Sequence, residues 1–569
     1  MHQADLGTRK SLYYKYQVYP FVAPPDLEQV THQQVVIVGG GPVGLVTALN
    51  LARAGIRCVV VTADQQVSEG SRAVAFTRRS MEILQQVGAS EQIEKDGLRW
   101  RYGNSLYRGQ RVFRLDVPHD EDDRFYPLIN LQQQIVEGQL VELIGQEPLI
   151  ELRWGTRFVA MEQTADKATL TLDTPVGEYR MDADWVIATD GAKSAVRQSM
   201  KLRMEGDSYE GRFVIADIRV DLGLPTERLA FFDPAWNPGN TILLHREPYG
   251  IWRFDYHLPP GESPEEALAP ERIATRVNEQ LALMGYDNMK WEMDWASIYS
   301  ARAMTLPEYR HGRVLFAGDA AHMLPIFGVR GLNTGWQDAQ NIAWKLALVI
   351  QGKAGMALLD SYSDERVAAA REIIDEASKS TRFMTPPTAG FRLLRDATLS
   401  LALTHEFVRP LLNWRTSRPH EYTDSILNAA SDDSALFSAG PAKGATARNI
   451  RLGENDYLFD HLDLSFQLFY FCESGGLPQD LADEIDAVAA SGITVGVVVF
   501  SRAPESLPSD SRAILIDDSS GHIHQKYGVE HSTGVCLLRP DQHVCARWIK
   551  PDAGQLRQAF QQVLQVKGN

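Results

Sequence analysis

Three glycine-and-acid clusters, far apart in the chain, carry chemistry that each alone would signal only weakly. Gly39-Gly40-Gly41-Pro42-Val43-Gly44 follows the apolar run Val35-Val36-Ile37-Val38 and opens a helical stretch over residues 43–54. Gly39, Gly41 and Gly44 form a Gly-x-Gly-x-x-Gly turn. The first glycine allows the tight reversal, the second lets a pyrophosphate reach the backbone, and the third lets helix and strand pack closely. The helix N-terminus adds free N–H groups and about half a positive charge. Asp190-Gly191 follows the apolar run 185–188, and Gly318-Asp319-Ala320-Ala321-His322 follows 314–317. A carboxylate straight after a strand, as Asp319 is, can accept hydrogen bonds from sugar hydroxyls or cap its own loop. A dinucleotide site also calls for an acid at the end of the second strand. Thr62 stands there, and Asp64 comes two residues later.

These residues need particular elements to position them. From Gln34, a strand, the glycine turn, a helix and a second strand over 57–61 make a βαβ opening. Residues 205–300 are rich in aromatics and prolines and alternate like antiparallel strands, with Glu247-Pro248-Tyr249-Gly250 as a turn. From Thr334 the period becomes helical: Leu332, Trp336, Ala339, Ala343, Leu346 and Ile350 share a face. Asn333 and Thr334 can cap that helix. Residues 431–450 read as a linker. Beyond it, strands near 466–471, 494–500, 513–516 and 534–538, with helices over 477–490 and 553–566, predict a small α/β unit. Residues 1–33 form a tyrosine-rich extension, expected to pack along the surface.

The chain has 569 residues, enough for two or three domains, and 44% of them are hydrophobic. A net charge of −16 without a basic stripe argues against nucleic acid. An anionic ligand would therefore need local cations or backbone amides. Four scattered cysteines with no C-x-x-C pair give no zinc or dithiol site and suit a reducing cytoplasm. No apolar run approaches the ~18 residues of a membrane span, and the polar N-terminus lacks a signal-peptide core.

Together these motifs resemble those of the class A flavoprotein aromatic hydroxylases, the para-hydroxybenzoate hydroxylase superfamily. The long members typified by 3-(3-hydroxyphenyl)propionate hydroxylase and phenol hydroxylase are the most similar. The resemblance covers about residues 34–380. It adds Ser71-Arg72-Ala73, similar to a loop whose arginine lies near the flavin, and Gln133, similar to a flavin-contacting glutamine. Asp190 to Arg197 resembles the fingerprint shared by FAD and NAD(P)H, and Asp319 the ribityl-binding aspartate. Gly331, Leu332 and Asn333 lie in the segment passing the isoalloxazine ring. Thr62 replaces the usual acid, and Val329-Arg330 replaces a more frequent Gly-Gln.

The resemblance implies an α/β fold: a Rossmann-like FAD-binding domain (34–204 and 301–360), an inserted antiparallel-sheet substrate domain (205–300), a helical segment (361–430) and a C-terminal thioredoxin-like domain (451–569). It also implies a monooxygenase that uses FAD, NADH or NADPH, and dioxygen to hydroxylate a phenolic, polar or acidic aromatic through a flavin 4a-hydroperoxide. A larger polycyclic substrate, or flavin binding without turnover, stays open; a halogenase is disfavoured because Trp100 lacks the Trp-x-Trp-x-Ile-Pro context. No metal is implied, and a homodimer is an option. Trp252, Phe254 and Tyr256 share one strand face and Arg253, Asp255 and His257 the other, and one of these faces should floor the substrate pocket. The pocket candidates are His245, Arg253, Tyr256 and Pro325, with Arg253 as the cation for an acidic substrate. His322 reads as structural. The C-terminal domain, without a cysteine pair, is expected to be dispensable for the chemistry.

Overall fold

The computed structural model describes residues 9–565, apart from positions 25, 71, 259–260, 326, 413–417, 431–432, 505–512 and 531–532 and the side chains of 208–211, 301 and 434. Ser71 of the Arg72 loop thus lies outside the described residues.

The fold is mixed α/β. Thr31–Val38 and Cys58–Val61 pair in parallel at the centre of the first sheet, with Gly177–Ala188 and Val314–Phe316 on one side and Ile150–Arg153 on the other. Val35, Val36, Ile37, Val59 and Val60 are almost wholly buried. Continuous apolar runs of this kind suit a parallel sheet covered on both faces. Helices Pro42–Arg53 and Gly331–Ile350 pack against each other beside it. The carboxyl ends of the strands at 38, 188 and 316 therefore lie side by side, where open α/β sheets hold ligands.

The second sheet has eight strands, with Glu205–Arg219 and Ile251–His257 near its middle. Tyr249 adopts φ +64° in the turn between Thr241–Arg246 and Ile251–His257. Two strands come from earlier in the chain: Tyr102–Tyr107 pairs in parallel with Arg228–Phe232, and Gln110–Asp116 forms the edge. Both lie within the stretch 34–204. Periodicity reports that a segment is a strand and is silent on its distant partner. One face of this sheet packs Trp252, Phe254 and Tyr256 beneath helix Pro270–Leu283. The other faces the first domain.

The C-terminal unit has a five-stranded mixed sheet. Phe466–Ser474, Val495–Ala503 and Ala513–Asp517 run parallel, and Gly534–Leu538 and Val544–Ile549 antiparallel. Val544–Ile549 and helix His522–Tyr527 add to the elements expected there. This unit shares its core with the helices before it, since Trp344 and Leu358 pack with Phe466 and Phe560.

The N-terminal extension binds both domains. Tyr19 stacks on Trp154 with centroids 4.4 Å apart, and Tyr13 stacks on Tyr249 at 5.6 Å. The Asp294 carboxylate accepts from Ser11 Oγ (2.8 Å) and the Leu12 amide (2.5 Å). The Tyr16 hydroxyl accepts from the Gly70 amide at 2.9 Å.

Candidate functional site

The three clusters meet at the N-terminus of Pro42–Arg53. Gly39 has φ +120°, and a Cβ there would lie 2.5 Å from the Thr189 carbonyl oxygen. The Thr189 hydroxyl in turn donates to the Val38 and Gly39 carbonyls, each at 3.1 Å. A Cβ on Gly44 would fall 2.0 Å from the Gly39 oxygen, and one on Gly335 would fall 2.6 Å from Val43 Cγ2. Gly318, at φ +60°, also packs on Val43. Arg197 bridges the second and third clusters by donating to the carbonyls of Ala192 (2.7 Å) and Ala320 (2.8 Å). These are the close backbone approaches that only glycine permits.

Other glycines of these segments look into space. A Cβ on Gly41, Gly191 or Gly331 would meet no atom within 4 Å. Helices Pro42–Arg53 and Gly331–Ile350 both start without a side-chain cap, so their first N–H groups lack that partner. The Asp319 carboxylate is accessible by area yet surrounded by protein. Burial raises its pKa while His322, Arg72 and Arg197 oppose the rise. A group open to solvent but deeply enclosed lines a cleft. A cleft with two uncapped helix N-termini, glycine walls and a carboxylate suits a pyrophosphate joined to polyhydroxylated carbon, and so fits FAD.

The other residues singled out from sequence take varied places. Thr62, with 7% exposure, packs against Gly40 at the strand end, while Asp64 is exposed beyond it. Burial raises the Asp64 carboxyl, opposed by Arg72 and Arg157. The Arg72 guanidinium thus acts on the carboxylates of both Asp64 and Asp319. Gln133 accepts from the Ala73 amide (3.0 Å) and donates to Glu137 (2.7 Å), which itself accepts from Ser68. Gln133 therefore holds the Arg72 loop in place. Asp190 accepts from the Val196 amide at 3.1 Å, capping the short helix of its own cluster, and its Oδ1 is buried with no hydrogen bond among the described residues. Leu332 packs at the edge of the first domain's core. Asn333 is a stitch: its Oδ1 accepts from Thr77 N (2.9 Å) and Ser80 Oγ (2.5 Å), and its Nδ2 donates to Ala75 and Val329 carbonyls. Arg330 occupies the cap position, so Asn333 anchors the helix from its first turn.

Sequence inspection missed Asp338 and Arg366. Asp338 accepts from the Gly318 amide (3.0 Å), pairs with His322 Nε2 (2.6 Å) and accepts from Arg366 Nε (2.6 Å), all fully buried. Burial pulls its carboxyl up, but His322 and Arg366 hold it below the usual range. The triad fixes the Gly318-Asp319 turn and gives His322 the structural part expected of it. Asp338 is the only acid in its helix, and that was the signal by which it could have been found.

The second sheet brings an aromatic face to this cleft. Phe213 stacks with Tyr299 at 5.6 Å and meets Phe327 edge-on at 5.4 Å and His257 at 5.2 Å. Pro325 is buried two residues before Phe327. Near the other end, Gly70 (φ +69°) lies against the Trp295 ring, and the Arg253 guanidinium donates to the Arg72 carbonyl at 3.3 Å. His245 sits beside Arg253 in register. Burial, then Arg228 and Arg253, push its pKa down to about 3, so it is neutral.

Two pocket expectations change. Arg253 binds Asp217 through two 2.8 Å hydrogen bonds and lies 3.3 Å from Glu247, so its charge is answered inside the protein and no lone cation is offered to a substrate. Tyr256 lies on the opposite face, under the Arg276 guanidinium (5.3 Å) and against Trp236. Residues three apart on a strand point to opposite faces, so Arg253 and Tyr256 cannot line one pocket.

The FAD binding domain family matches residues 32–377. The 3-(3-hydroxy-phenyl)propionate/3-hydroxycinnamic acid hydroxylase of Klebsiella pneumoniae is 28% identical over 544 residues, 93% of this chain and 95% of that protein. The p-nitrophenol 4-monooxygenase PnpA of Pseudomonas putida DLL-E4 superposes with a TM-score of 0.57 at 28% identity, over 68% of this chain and 97% of PnpA. The flavin-dependent monooxygenase PieE, solved with FAD and substrate, shares the fold more completely: TM-score 0.77 at 23% identity, covering 96% and 99% of the two chains. With a cleft that fits FAD at the junction of its two sheets and the family match over more than half its length, the chain belongs to the FAD-binding family of flavin-dependent aromatic hydroxylases.

Proposed function

We propose that this monooxygenase hydroxylates a phenolic ring held on the aromatic face around Phe213, Tyr299 and Phe327. The observation that carries the reading is the meeting of that face with the FAD-shaped cleft. When bound, FAD takes reducing equivalents from NAD(P)H and activates dioxygen, leaving the protein to bind, orient and exclude water. Gly41 and the Pro42–Arg53 N-terminus would hold the pyrophosphate, and Asp319 the ribityl hydroxyls. The Gly331–Ile350 N-terminus would face the flavin ring, where its positive end favours negative charge. Arg72 would stand over the cofactor on the loop fixed by Gln133. The relative's named substrates, 3-(3-hydroxyphenyl)propionate and 3-hydroxycinnamate, support a phenol carrying an acid. Because Arg253 is neutralised internally, a substrate carboxylate needs a different donor.

NAD(P)H oxidation is expected to rise on addition of the right phenol, with one dioxygen consumed per hydroxylation. Oxygen uptake across hydroxybenzoates, hydroxyphenylpropionates and larger phenols checks this. Stimulation only by antibiotic-sized compounds would move the substrate class, and no stimulation by any aromatic would leave a flavin binder without turnover.

The enzyme is also proposed to act as a homodimer in the cytoplasm. Leu393 (72% exposed), Leu394 (60%), Phe407 (75%) and Leu411 (67%) crowd helix Ala389–Ala402 and the turn Glu406–Leu412. Apolar surface this dense marks an interface. Sedimentation should show twice the chain mass, and Leu394→Glu with Phe407→Glu should return the monomer. All four cysteines are buried and unpaired, which suits a reducing compartment. Among the described residues no helix is long and apolar enough to cross a membrane.

A further inference from the structure

Asp255 lies near the middle of the eight-stranded sheet, with strands paired on both sides of it. A side chain so placed is ordinarily sealed, yet Asp255 is only partly buried. So are His257 on its own strand and Tyr299 and Leu243 on others. The residues two before and two after it fix its direction. Arg253 reaches the Arg72 carbonyl, and His257 meets Phe213, which touches Phe327. Same-face neighbours on a strand are about 7 Å apart. Asp255 therefore points between the Arg72 loop and the Phe327 loop, where the cofactor cleft opens onto the aromatic face.

Its carboxylate makes no hydrogen bond with any described residue. Apart from Arg228, the charged groups around it are otherwise engaged or silent. Arg253 is paired with Asp217 and lies beside Glu247. His245 and His257 are both held below their usual range by burial, and burial raises the Tyr299 hydroxyl well above its own. Burial brings Arg228 down to about 10, which leaves it a cation at neutral pH. Burial likewise pushes the Asp255 carboxyl up, to about 7, with Arg253 opposing and Asp217 adding to the rise. A carboxyl poised near the working pH is the kind that serves as a general base.

We infer that Asp255 is the catalytic base that takes the phenolic proton of the bound substrate, a role that rests on the phenol assignment above. The substrate O–H bond breaks and its electron pair stays on oxygen as phenolate. The proton forms an O–H bond with the Asp255 carboxylate, and no electrons are exchanged. The phenolate raises electron density at the ring carbon that accepts oxygen. Because Asp255 is partly open to solvent, its proton returns to water between turnovers.

The test uses the flavin-loaded enzyme and its Asp255→Asn and Asp255→Glu variants. The probes are 3-(3-hydroxyphenyl)propionate and its counterpart nitrated next to the hydroxyl, whose phenol titrates near neutral pH and is the phenolate at mildly alkaline pH, where the two are compared. Binding is read from the perturbation of flavin absorbance, and hydroxylation from product formed against pH. Asp255→Asn should bind both probes as the wild type does. It should hydroxylate the un-ionised phenol about 10²–10⁴-fold more slowly and the ionised one at nearly the wild-type rate. The acidic limb of the wild-type profile, near pH 7, should vanish in Asp255→Asn and return in Asp255→Glu. An equal loss on both probes, or a retained acidic limb, would overturn the assignment. If neither probe nor any other phenol binds the wild type, the substrate reading itself fails, and this role with it.

Discussion

Gly41→Val is expected to give a folded protein that purifies colourless. Gly41 has φ −80° and ψ 178°, which valine adopts without strain, and a Cβ there meets nothing within 4 Å. The added methyls would stand in the cleft, where a pyrophosphate must approach the backbone. The contrast with Gly39 sharpens the test. At φ +120° and 2.5 Å from a carbonyl oxygen, Gly39→Val should damage the fold itself. Asp319→Ala should also lower flavin content, because a carboxylate receiving sugar hydroxyls contributes about 1.5–3 kcal/mol per charge-assisted hydrogen bond, or about 10–100-fold in affinity. Flavin absorbance per chain after gel filtration, with circular dichroism to confirm folding, decides it. Wild-type flavin content in both Gly41→Val and Asp319→Ala would remove the cofactor assignment.

Arg539→Met is expected to cost about 3–5 kcal/mol of stability, the usual penalty for removing one partner of a buried ion network. The Arg539 guanidinium binds Glu365 at 2.6 and 3.0 Å and also holds Asp541. Glu365 further accepts from Lys345 (2.7 Å) and Asn341 (2.8 Å), and Arg79 donates to the Asp541 carbonyl at 2.8 Å. This network joins the C-terminal unit to the two long helices. Burial alone would raise the Glu365 carboxyl, but Arg539 and Lys345 hold it well below the carboxylate range. A depressed acid stabilises the fold above its ordinary value of 4.5, and that contribution is lost as pH falls below it. Urea midpoints should therefore drop for Arg539→Met near neutral pH. The fall in stability below pH 4.5 should be shallower in Glu365→Gln, and the double variant should recover part of the single losses. Truncation near Pro441, which the sequence suggested would keep flavin binding at some cost in stability or assembly, should instead yield insoluble protein, because it bares Trp344 and Leu358 and leaves Glu365 without Arg539. A soluble, yellow truncate would show that the two units are independent after all.

Much of the candidate cofactor site was legible because its requirements are local. Gly39, Gly41 and Gly44 sit within six residues, each answering a steric demand of one turn, and Asp190 and Asp319 each follow their own buried strand. The C-terminal ends of the strands that finish at 38, 61 and 316 were likewise written in continuous apolar runs, although the first strand begins earlier, at the polar Thr31. The triad of Asp338, His322 and Arg366 was hidden because its members join three separate elements, and its pairing exists only once two helices pack. The substrate face was half legible. Alternation split Arg253, Asp255 and His257 from Trp252, Phe254 and Tyr256, but period two cannot say which side a helix will cover. Tertiary structure chose, laying Pro270–Leu283 over Tyr256 and turning Asp255 toward the cleft. It also paired Arg253 with Asp217, 36 residues away, and so neutralised a cation put forward from sequence for the substrate. The sequence by itself determined what the backbone can bind. Which side chains are left free to do chemistry was decided by long-range packing, because a charge is available only when no distant partner has answered it.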